Sequence, residues 1–389
     1  MTSEERHKAR EERRKAKRAE KRRKDLEPYD NYDNVISSRS LYRAAVVSRH
    51  GVGWKASVQR YHINLLRNTW DLHRKLMNGE NVIMGFICFD LMERGKLRHI
   101  RSVHFKERVV QRSLCDNALI PVLSRGLIYD NGASLEGKGI HFAMFRCRDY
   151  LRKYYRQHRT NEGWVLQIDF SGYFDNIQHG PIWEMLDRNF TDRRIIDLTR
   201  KFVESFGESS LGIGSQVSQI LAITYPTRID HYIAEVLRLK GERYMDDSIY
   251  FSRDREELEK ALEILRPMYE EIGIRLNPRK TQIIPLRRFT FLKVRFELLP
   301  TGKVIMRPCR KSIIKQQQKL RKFQRFLKSG EMTLEDIRTS YESWRGGKTH
   351  MDGYKSIRRM DQRYISQFGM IPAAIKKKNR RKERDVRVR

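Results

Sequence analysis

Cysteine is scarce in this chain of 389 residues, and its four cysteines, Cys88, Cys115, Cys147 and Cys309, are far apart. They form no Cys-x-x-Cys pair or Cys/His cluster, which argues against a disulfide framework and against a structural zinc site. Long apolar runs are also absent, since no stretch approaches the roughly 18–20 residues of a membrane span. The sequence opens with charges in place of a secretory signal, so we expect a cytoplasmic protein with no membrane partner.

Acidic residues are in the minority, because 81 Lys+Arg outnumber 48 Asp+Glu and give a formal net charge of +33 at pH 7. Residues 1–25 carry net +6 and residues 376–389 carry net +7, which leaves +20 on the part between them. A body that only separated two charged tails would be close to neutral, so this balance favours phosphate binding by the folded part itself. Hydrophobic residues at 39% and aromatic residues at 10% are enough for a folded enzyme.

The spacing of apolar residues predicts helices near both ends of the folded part. Apolar residues across 58–76 predict an amphipathic helix that Asn78-Gly79 stops. Residues 311–328 predict another, with Lys and Arg along its outer side and Gly330 at its end. The mixed-charge segment 1–25 has no apolar stripe and is interpreted as a disordered tail or a lone solvated helix.

Short apolar runs predict strands between these helices. Residues 85–103 predict a hairpin that turns at Gly95-Lys96. Residues 164–170 predict a buried strand that ends at an aspartate, and residues 289–298 predict another strand. Residues 243–251 predict a tight turn between two short strands.

Three aspartates are placed at the ends of these apolar strands. Asp169 closes the strand at 164–170, and Asp246 and Asp247 lie in the turn at 243–251. Carboxylates in such positions are costly to bury unless they are paired or bind metal. Asp169 with Asp246 could hold two Mg²⁺ ions roughly 3.5–4 Å apart, an arrangement that activates a hydroxyl and steadies a leaving pyrophosphate. From these residues alone, a plain turn at Asp246-Asp247 stays open as the alternative, since Asp favours turns.

The surroundings of these aspartates resemble the motifs of bacterial reverse transcriptases, in that family's order and over roughly residues 38–368. Six segments carry the resemblance: GKLRHIRSVHFKERVVQRSL (95–114), IDFSGYFDNI (168–177), LGIGSQVSQILAITYPTRID (211–230), YMDD (244–247), GIRLNPRKTQ (273–282) and FTFLKVRF (289–296).

The resemblance implies an RNA-directed DNA polymerase with an α+β right-hand fold, in which an antiparallel palm sheet with helices joins fingers to a helical thumb. The matching division of the chain is a basic mixed-charge tail at 1–27, fingers and the start of the palm at 28–160, the palm at 161–300, the thumb at 301–370 and a basic tail at 371–389. The predicted thumb is strongly basic, since residues 303–363 carry net +11. Phosphate contacts of this kind would hold a sliding duplex without reading its sequence.

Carried over residue by residue, the resemblance implies that Asp169 and Asp246 bind two Mg²⁺ ions, which Mn²⁺ could replace. Asp247 matches the second, less essential aspartate of the pair. Phe170 follows Asp169 where the family uses a main-chain carbonyl as a metal ligand. These four residues form the implied catalytic and metal site.

The resemblance also implies a set of substrate-binding residues. Phe174 matches the aromatic position that blocks a ribose 2′-hydroxyl, with a core aromatic as the alternative. Lys280 matches the palm lysine near the pyrophosphate, where an ammonium could donate a proton; a surface lysine is the alternative. Lys96 and Arg98 match the fingers cations that grip the triphosphate, with the charges of a solvated hairpin as the alternative. Ile213, Gly214 and Gln219 belong to the template-and-nucleotide motif.

The template-and-nucleotide motif departs from the family's familiar Gln-Gly and Ser-Pro pairs, with Ile213-Gly214 and Ser218-Gln219 in their place. This form resembles reverse transcriptases of diversity-generating retroelements, in which the aliphatic residue is linked to error-prone copying of adenines. Ile223 stands where that group usually has Asn. Ser-Gln variants also resemble antiviral-defence reverse transcriptases, so retroelement and phage defence stay open as biological roles.

The expected partners follow from this activity: template RNA, the cDNA or primer strand, deoxynucleoside triphosphates and, as a further candidate, a small basic accessory protein. Two other functions stay open. One is an inactive RNA-binding scaffold, which the retained aspartates, Phe174 and Lys280 argue against. The other is an RNA polymerase with the same palm, in which a smaller or polar residue is expected at position 174.

Overall fold

A computed structural model describes residues 3–93 and 96–369 of the protein. The predicted basic tail at 371–389 and Gly95 of the predicted hairpin turn lie outside these residues. The helices are, in chain order, α1 (Ser3–Leu26), α2 (Tyr32–Ile36), α3 (Ser38–Ser48), α4 (Ala56–Ile63), α5 (Leu65–Met77), α6 (Phe105–Leu114), α7 (Ile120–Leu123), α8 (Ile140–His158), α9 (Tyr173–Asn176), α10 (His179–Asn189), α11 (Arg193–Glu204), α12 (Gln216–Thr224), α13 (Thr227–His231), α14 (Arg255–Glu271), α15 (Arg310–Lys328), α16 (Leu334–Gly346) and α17 (Tyr354–Phe368).

The strands are short and pair in antiparallel fashion wherever their register is defined. They are β1 (Phe86–Glu93), β2 (Lys96–Val103), β3 (Trp164–Ser171), β4 (Lys240–Tyr244), β5 (Asp247–Ser252), β6 (Arg275–Leu276), β7 (Gln282–Pro285), β8 (Arg288–Phe291), β9 (Val294–Leu298) and β10 (Val304–Pro308). Helices together with antiparallel sheets give the α+β class that the sequence predicts. None of the helices in the described part of the chain is long and apolar enough to cross a membrane.

The chain divides into two compact units. The first comprises Met1–Glu136, Ile168–Arg238 and Lys260–Thr281, and the second comprises Gly137–Gln167, Leu239–Glu259 and Gln282–Arg389. Strand β3 contributes to both, because residues 164–167 belong to the second unit and residues 168–171 to the first.

The first unit is mainly helical. The segment after β2 is apolar on its inner side, and α6, a π-helical turn at Cys115–Leu119 and α7 follow one another there. Val109, Leu114 and Leu119 on this segment are fully buried. The predicted hairpin is present as β1 and β2, which pair antiparallel with Phe86 opposite Val103 and Glu93 opposite Lys96. Lys96, predicted as a turn residue, is therefore the first residue of β2.

Two apolar clusters lie among the described residues of the second unit. One lies under α8 and the strands, where alternate residues of β9 and β10 point inward; it contains Met144, Cys147, Tyr150, Leu151, Tyr154, Val165, Ile249, Phe251, Leu286, Phe289, Phe291, Val294, Phe296, Leu298, Val304 and Met306. The other joins α15, α16 and α17 through Leu320, Phe323, Ile337, Tyr341, Met360, Tyr364 and Phe368.

The helix predicted at 311–328 is confirmed as α15, and its apolar side faces the second of these clusters. Helix α16 begins with a capping box, because Thr333 and Asp336 each accept the other's main-chain N–H. A buried ion pair also joins α16 to α17: Arg345 donates to both carboxylate oxygens of Asp361 at 2.9 and 3.1 Å.

Three local predictions need correction. The amphipathic helix predicted across 58–76 is two helices, α4 and α5, separated at Asn64, and three of its apolar residues (Ile63, Leu66 and Trp70) are exposed. The strand predicted at 289–298 is a hairpin of β8 and β9. The strand predicted to end at Asp169 continues to Ser171, because residues 170–171 pair with β6. In the described part of the segment at 1–25, the chain adopts the helical alternative, as α1.

Candidate active site

Asp169 is a buried carboxylate near the end of an apolar strand. It lies on β3 between Ile168 and Phe170, and it is 7% exposed. Because an ionised carboxylate loses much hydration free energy on burial, it persists there only with compensating contacts. The contacts of Asp169 within the first unit therefore define what the site can do.

The turn after β6 holds Asp169 through its main chain. Asn277 N–H donates to the Asp169 carbonyl at 2.7 Å, and Asp169 N–H donates to Thr281 Oγ1 at 3.3 Å. The sequence Asn-Pro makes this turn locally, since Asn277 Oδ1 accepts the N–H of Arg279 at 3.1 Å. Asn277 and Thr281 are functional residues that the sequence reasoning missed, although the Asn-Pro pair signals the turn.

The same turn brings Lys280 onto the carboxylate. Lys280 Nζ donates to Asp169 Oδ1 at 2.6 Å. The structure thus unites two predicted site residues that are 111 positions apart in the sequence. It places the lysine on the predicted catalytic aspartate, a contact that the sequence did not predict.

The other oxygen of Asp169, Oδ2, is buried and has no hydrogen-bond partner among the described residues. A buried carboxylate oxygen without a donor is costly, and a hard divalent cation would compensate it. Asp169 therefore fits the metal-binding role expected of it. Within residues 3–93 and 96–369, no three His, Cys, Asp or Glu side chains gather into a metal-binding group. Two carboxylates and a carbonyl would not form such a group, so the Mg²⁺ prediction stays a prediction.

Asp246 and Asp247 lie in the second unit, on the predicted tight turn. Tyr244 pairs with Asp247 across β4 and β5, which leaves Met245 and Asp246 as the two turn residues. Met245 has φ +56°, a left-handed backbone conformation that residues other than glycine rarely adopt. Both aspartates are half-buried.

The side chain of Arg243 stabilises this turn. It is fully buried, and its Nη1 donates to the Met245 carbonyl at 3.1 Å. An arginine remains charged in any protein environment, so burying it is costly and calls for defined acceptors. The sequence did not single out Arg243, because β4 (Lys-Gly-Glu-Arg-Tyr) has no apolar pattern that would mark the residue as buried.

Phe174 follows Asp169 on a sharp local turn. Gly172, at φ +53°, ends β3 and starts the short helix α9, on which the Phe174 ring is half-buried. The Phe174 carbonyl accepts the N–H of Leu211 at 2.7 Å, which ties α9 to the start of the template-and-nucleotide motif. Phe170 itself is a core residue, with its ring 5.1 Å from that of Tyr173, so only its main chain fits the proposed ligand role.

The template-and-nucleotide motif borders a groove of about 500 Å³ in the first unit. Gly214 and Gln219 both line this groove. Ile213, which precedes Gly214 in the sequence, is half-buried. Gly214 has φ +113°, a backbone conformation that L side chains rarely adopt, so glycine suits the position. The other lining residues are Val47, Ser48, His50, Val103, Arg108, Gln111, Arg112 and Gln216.

The predicted triphosphate-binding residues Lys96 and Arg98 lie on β2. Their side chains lie outside the part of the chain that the structure describes.

Comparison with known proteins gives one family match. The family model described as "Reverse transcriptase (RNA-dependent DNA polymerase)" matches residues 93–296, slightly more than half of the chain. The matched segment contains Asp169, Asp246 and Lys280. A search of curated protein sequences gives no match.

Among solved structures, the chain is similar to apo telomerase from Candida tropicalis truncated from its C-terminal domain, at 13% identity and a TM-score of 0.44. That match covers 57% of this chain and 54% of the telomerase, so the chain spans about half of its length. The chain is also similar to telomerase from Candida albicans in complex with the TWJ fragment of telomeric RNA, at 10% identity and a TM-score of 0.48. That match covers 79% of this chain and 61% of the other.

Proposed function

Because this chain belongs to the family of reverse transcriptases (RNA-dependent DNA polymerases), we propose that it synthesises DNA on an RNA template. The reaction is nucleotidyl transfer: the primer 3′-hydroxyl attacks the α-phosphate of a deoxynucleoside triphosphate, and pyrophosphate leaves. The observation that carries this proposal is Asp169. Its main chain is fixed by Asn277 and Thr281, while its buried Oδ2 has no hydrogen-bond partner among the described residues.

The metal site would consist of Asp169 and Asp246, with the Phe170 carbonyl as a further oxygen ligand and Asp247 beside it. Two Mg²⁺ ions, or Mn²⁺, would supply the Lewis acidity that activates the primer hydroxyl and stabilises the leaving pyrophosphate. Asp169 suits this role because the contacts of its main chain leave a carboxylate oxygen for a ligand. Arg243 would keep Asp246 in place by fixing the carbonyl of the preceding residue.

The remaining predicted residues would position the nucleotide. Phe174 would exclude a ribose 2′-hydroxyl, and the bond from Leu211 N–H to its carbonyl fixes the backbone that carries the ring. Lys280 would donate a proton to the departing pyrophosphate, and Lys96 and Arg98 would hold the triphosphate. Positioning and charge stabilisation then account for most of the catalysis.

Primer extension on an RNA template tests this function. Asp246→Ala and Asp169→Asn should abolish DNA synthesis, while Asp187→Asn should preserve it. Asp187 is a matched control because it is a half-exposed aspartate at the end of α10 that pairs with Arg193. Full synthesis by Asp246→Ala would reject the assignment. An inactive wild-type chain that still binds RNA would favour the scaffold alternative.

For the biological role, we propose a diversity-generating retroelement. The support is the string Ile213-Gly214 with Ser218-Gln219, because an aliphatic side chain cannot supply the hydrogen bond that Gln gives near the templating pair. Ile213→Gln should then lower misincorporation opposite template adenine and leave the other template bases little affected. Equal errors at all four template bases in the wild type would contradict this role.

An antiviral-defence role is the alternative, and Ile223 favours it. This residue stands where the retroelement group usually has Asn, and it is fully buried on α12. Neighbouring genes would separate the two roles. A variable-protein gene with a near-identical template repeat supports diversification, and its absence favours defence.

We propose template RNA and the cDNA or primer strand as the main partners, with a small basic accessory protein as a further one. The fingers at 28–160, the palm at 161–300 and the thumb at 301–370 remain our assignment of the chain. The thumb would hold the duplex through its net charge of +11 at residues 303–363, so its contribution to binding should weaken as salt rises.

A further inference from the structure

Three buried polar side chains, which we name the polar relay, join α6 to the loop before α12: Glu107, Gln111 and Ser215. Gln111 Nε2 donates to Glu107 Oε1 at 3.1 Å, and the Ser215 hydroxyl donates to Gln111 Oε1 at 3.0 Å. Each of the three residues is at most 1% exposed. The amide of Gln111 is therefore held in one orientation, with its nitrogen toward the acid and its oxygen toward the serine.

Main-chain groups complete the relay at both ends. Met84 N–H donates to Glu107 Oε2 at 3.3 Å, and the Ser215 oxygen accepts Ser218 N–H at 3.2 Å as the N-cap of α12. Burial raises the pKa of Glu107 above its usual value, which shows the cost of keeping an acid there. Well-packed apolar residues would usually serve stability as well or better, so the polar arrangement points to a need for fixed orientation.

The relay ends where the chain borders the groove. Gly214 directly precedes Ser215, and Gly214, Gln111 and Gln219 all line the same groove of about 500 Å³. The groove also receives Arg108 and Arg112 from α6. A shift of Ser215 would move the adjoining loop that carries Ile213 and Gly214.

We propose that Gln111 is a positioning residue for base selection, acting through Ser215 to hold the Ile213–Gly214 loop against the template and the incoming nucleotide. This inference rests on the proposed polymerase function. In this proposal, Glu107 fixes the orientation of the Gln111 amide, and that orientation helps the enzyme to distinguish correct from incorrect nucleotides.

Exchanging the acid and the amide tests whether the donor and acceptor order of the hydrogen bonds in the polar relay matters. Glu107→Gln would turn a donor toward the Met84 N–H or toward the Gln111 amide nitrogen. Gln111→Glu would bring two carboxylates into contact. In the double variant Glu107→Gln/Gln111→Glu, the new carboxylate can accept from the new amide and from Ser215, and the amide oxygen can accept from Met84, so every bond is restored.

The readout is the ratio of kcat/KM for correct and incorrect nucleotides opposite a template cytosine, measured by single-nucleotide primer extension. Each single variant should lower this ratio about tenfold, the scale of one lost buried hydrogen bond. The double variant should recover most of the wild-type ratio, because the two substitutions are in contact and non-additive. Thermal melting of each variant is followed in parallel.

A matched control separates positioning from loss of stability. Thr199 is also fully buried in the first unit, and its hydroxyl donates to the Ile195 carbonyl at 2.8 Å within α11. Thr199→Ala leaves a small cavity, so it should lower the melting temperature and leave nucleotide selection unchanged. Equal loss of selection in this control would overturn the proposal, as would single variants with unchanged selection or a folded double variant that fails to recover it.

Should the acid–amide variants fail to fold, Ser215 offers a second test. Ser215→Ala removes the hydroxyl and should lower selection, whereas Ser215→Thr keeps it and should restore selection. Equal selection in the two variants would overturn the proposal. A wild-type chain that extends no primer would reject the polymerase function itself, a result distinct from these.

Discussion

Lys280 Nζ lies 2.6 Å from Asp169 Oδ1, and Lys280→Met tests what this contact does for a metal site. The lysine side chain is 57% exposed and that of Asp169 is 10% exposed. Solvent around the lysine screens the attraction, so we expect the pair to be worth at most about 1 kcal/mol. Since the ammonium competes with a cation for the carboxylate, removing it should lower the half-saturating Mg²⁺ concentration by at most about fivefold.

Although Mg²⁺ should bind more tightly to Lys280→Met, the catalytic rate of this variant should fall. If Lys280 protonates the leaving group, Lys280→Met should lower kcat by about 10²–10⁴-fold, the usual contribution of a general acid. Lys280→Arg keeps a cation for Asp169 but cannot readily give up a proton, so it should keep the Mg²⁺ response and lose rate. Single-nucleotide extension on an RNA template over a Mg²⁺ titration measures both quantities. A higher half-saturating concentration in Lys280→Met, or an unchanged kcat, would refute this reasoning.

Asp361 accepts two hydrogen bonds from the buried arginine of α16, so Asp361→Ala should lower the free energy of unfolding in urea by about 3–5 kcal/mol, because it leaves that charge unpaired. Glu335→Ala, which breaks an exposed ion pair, should cost less than about 1 kcal/mol, and an equal cost for both would contradict the argument. The hydrogen bond that His231 donates to the Glu235 carboxylate raises the pKa of His231 above 6.5, so the contribution of His231 to stability is complete below pH 6.5 and is lost as the pH rises through the raised value. His231→Gln should remove this fall in urea-unfolding curves taken at a series of pH values, and an unchanged slope would refute it. Phe174→Ala should raise ribonucleotide use relative to deoxynucleotide use in primer extension, and retained discrimination would reject the sugar-selecting role.

Elements set by local pattern could be predicted from the sequence. The hairpin at 85–103, the turn in YMDD and helix α15 all follow from apolar spacing and short polar turns. The turn between β8 and β9 could not, because Leu292 and Lys293 adopt φ +46° and +64° where Asn-Gly is the usual signal. The tertiary pairing of strands overrode the local preference there.

The individual site residues were easier to predict than their contacts. Asp169 and Lys280 each belong to a motif, but the bond between them joins positions that no periodicity relates. Gln111 lies within the segment 95–114 that resembles a family motif, but nothing in the sequence singles it out. Its role depends on Ser215, 104 residues away, which only the fold brings near.

Two proposed metal ligands share one physical device, namely restraint through the main chain. Asp169 is fixed by bonds to its own N–H and carbonyl, and the turn that carries Asp246 is fixed by Arg243 at the Met245 carbonyl. A carboxylate held through both of its oxygens would lose them as ligands. Main-chain restraint orients Asp169 and leaves Oδ2 without a hydrogen-bond partner among the described residues, while Lys280 contacts Oδ1 alone. Burying such an oxygen is unfavourable until a cation arrives, so part of the cation's binding energy offsets a cost already present in the fold.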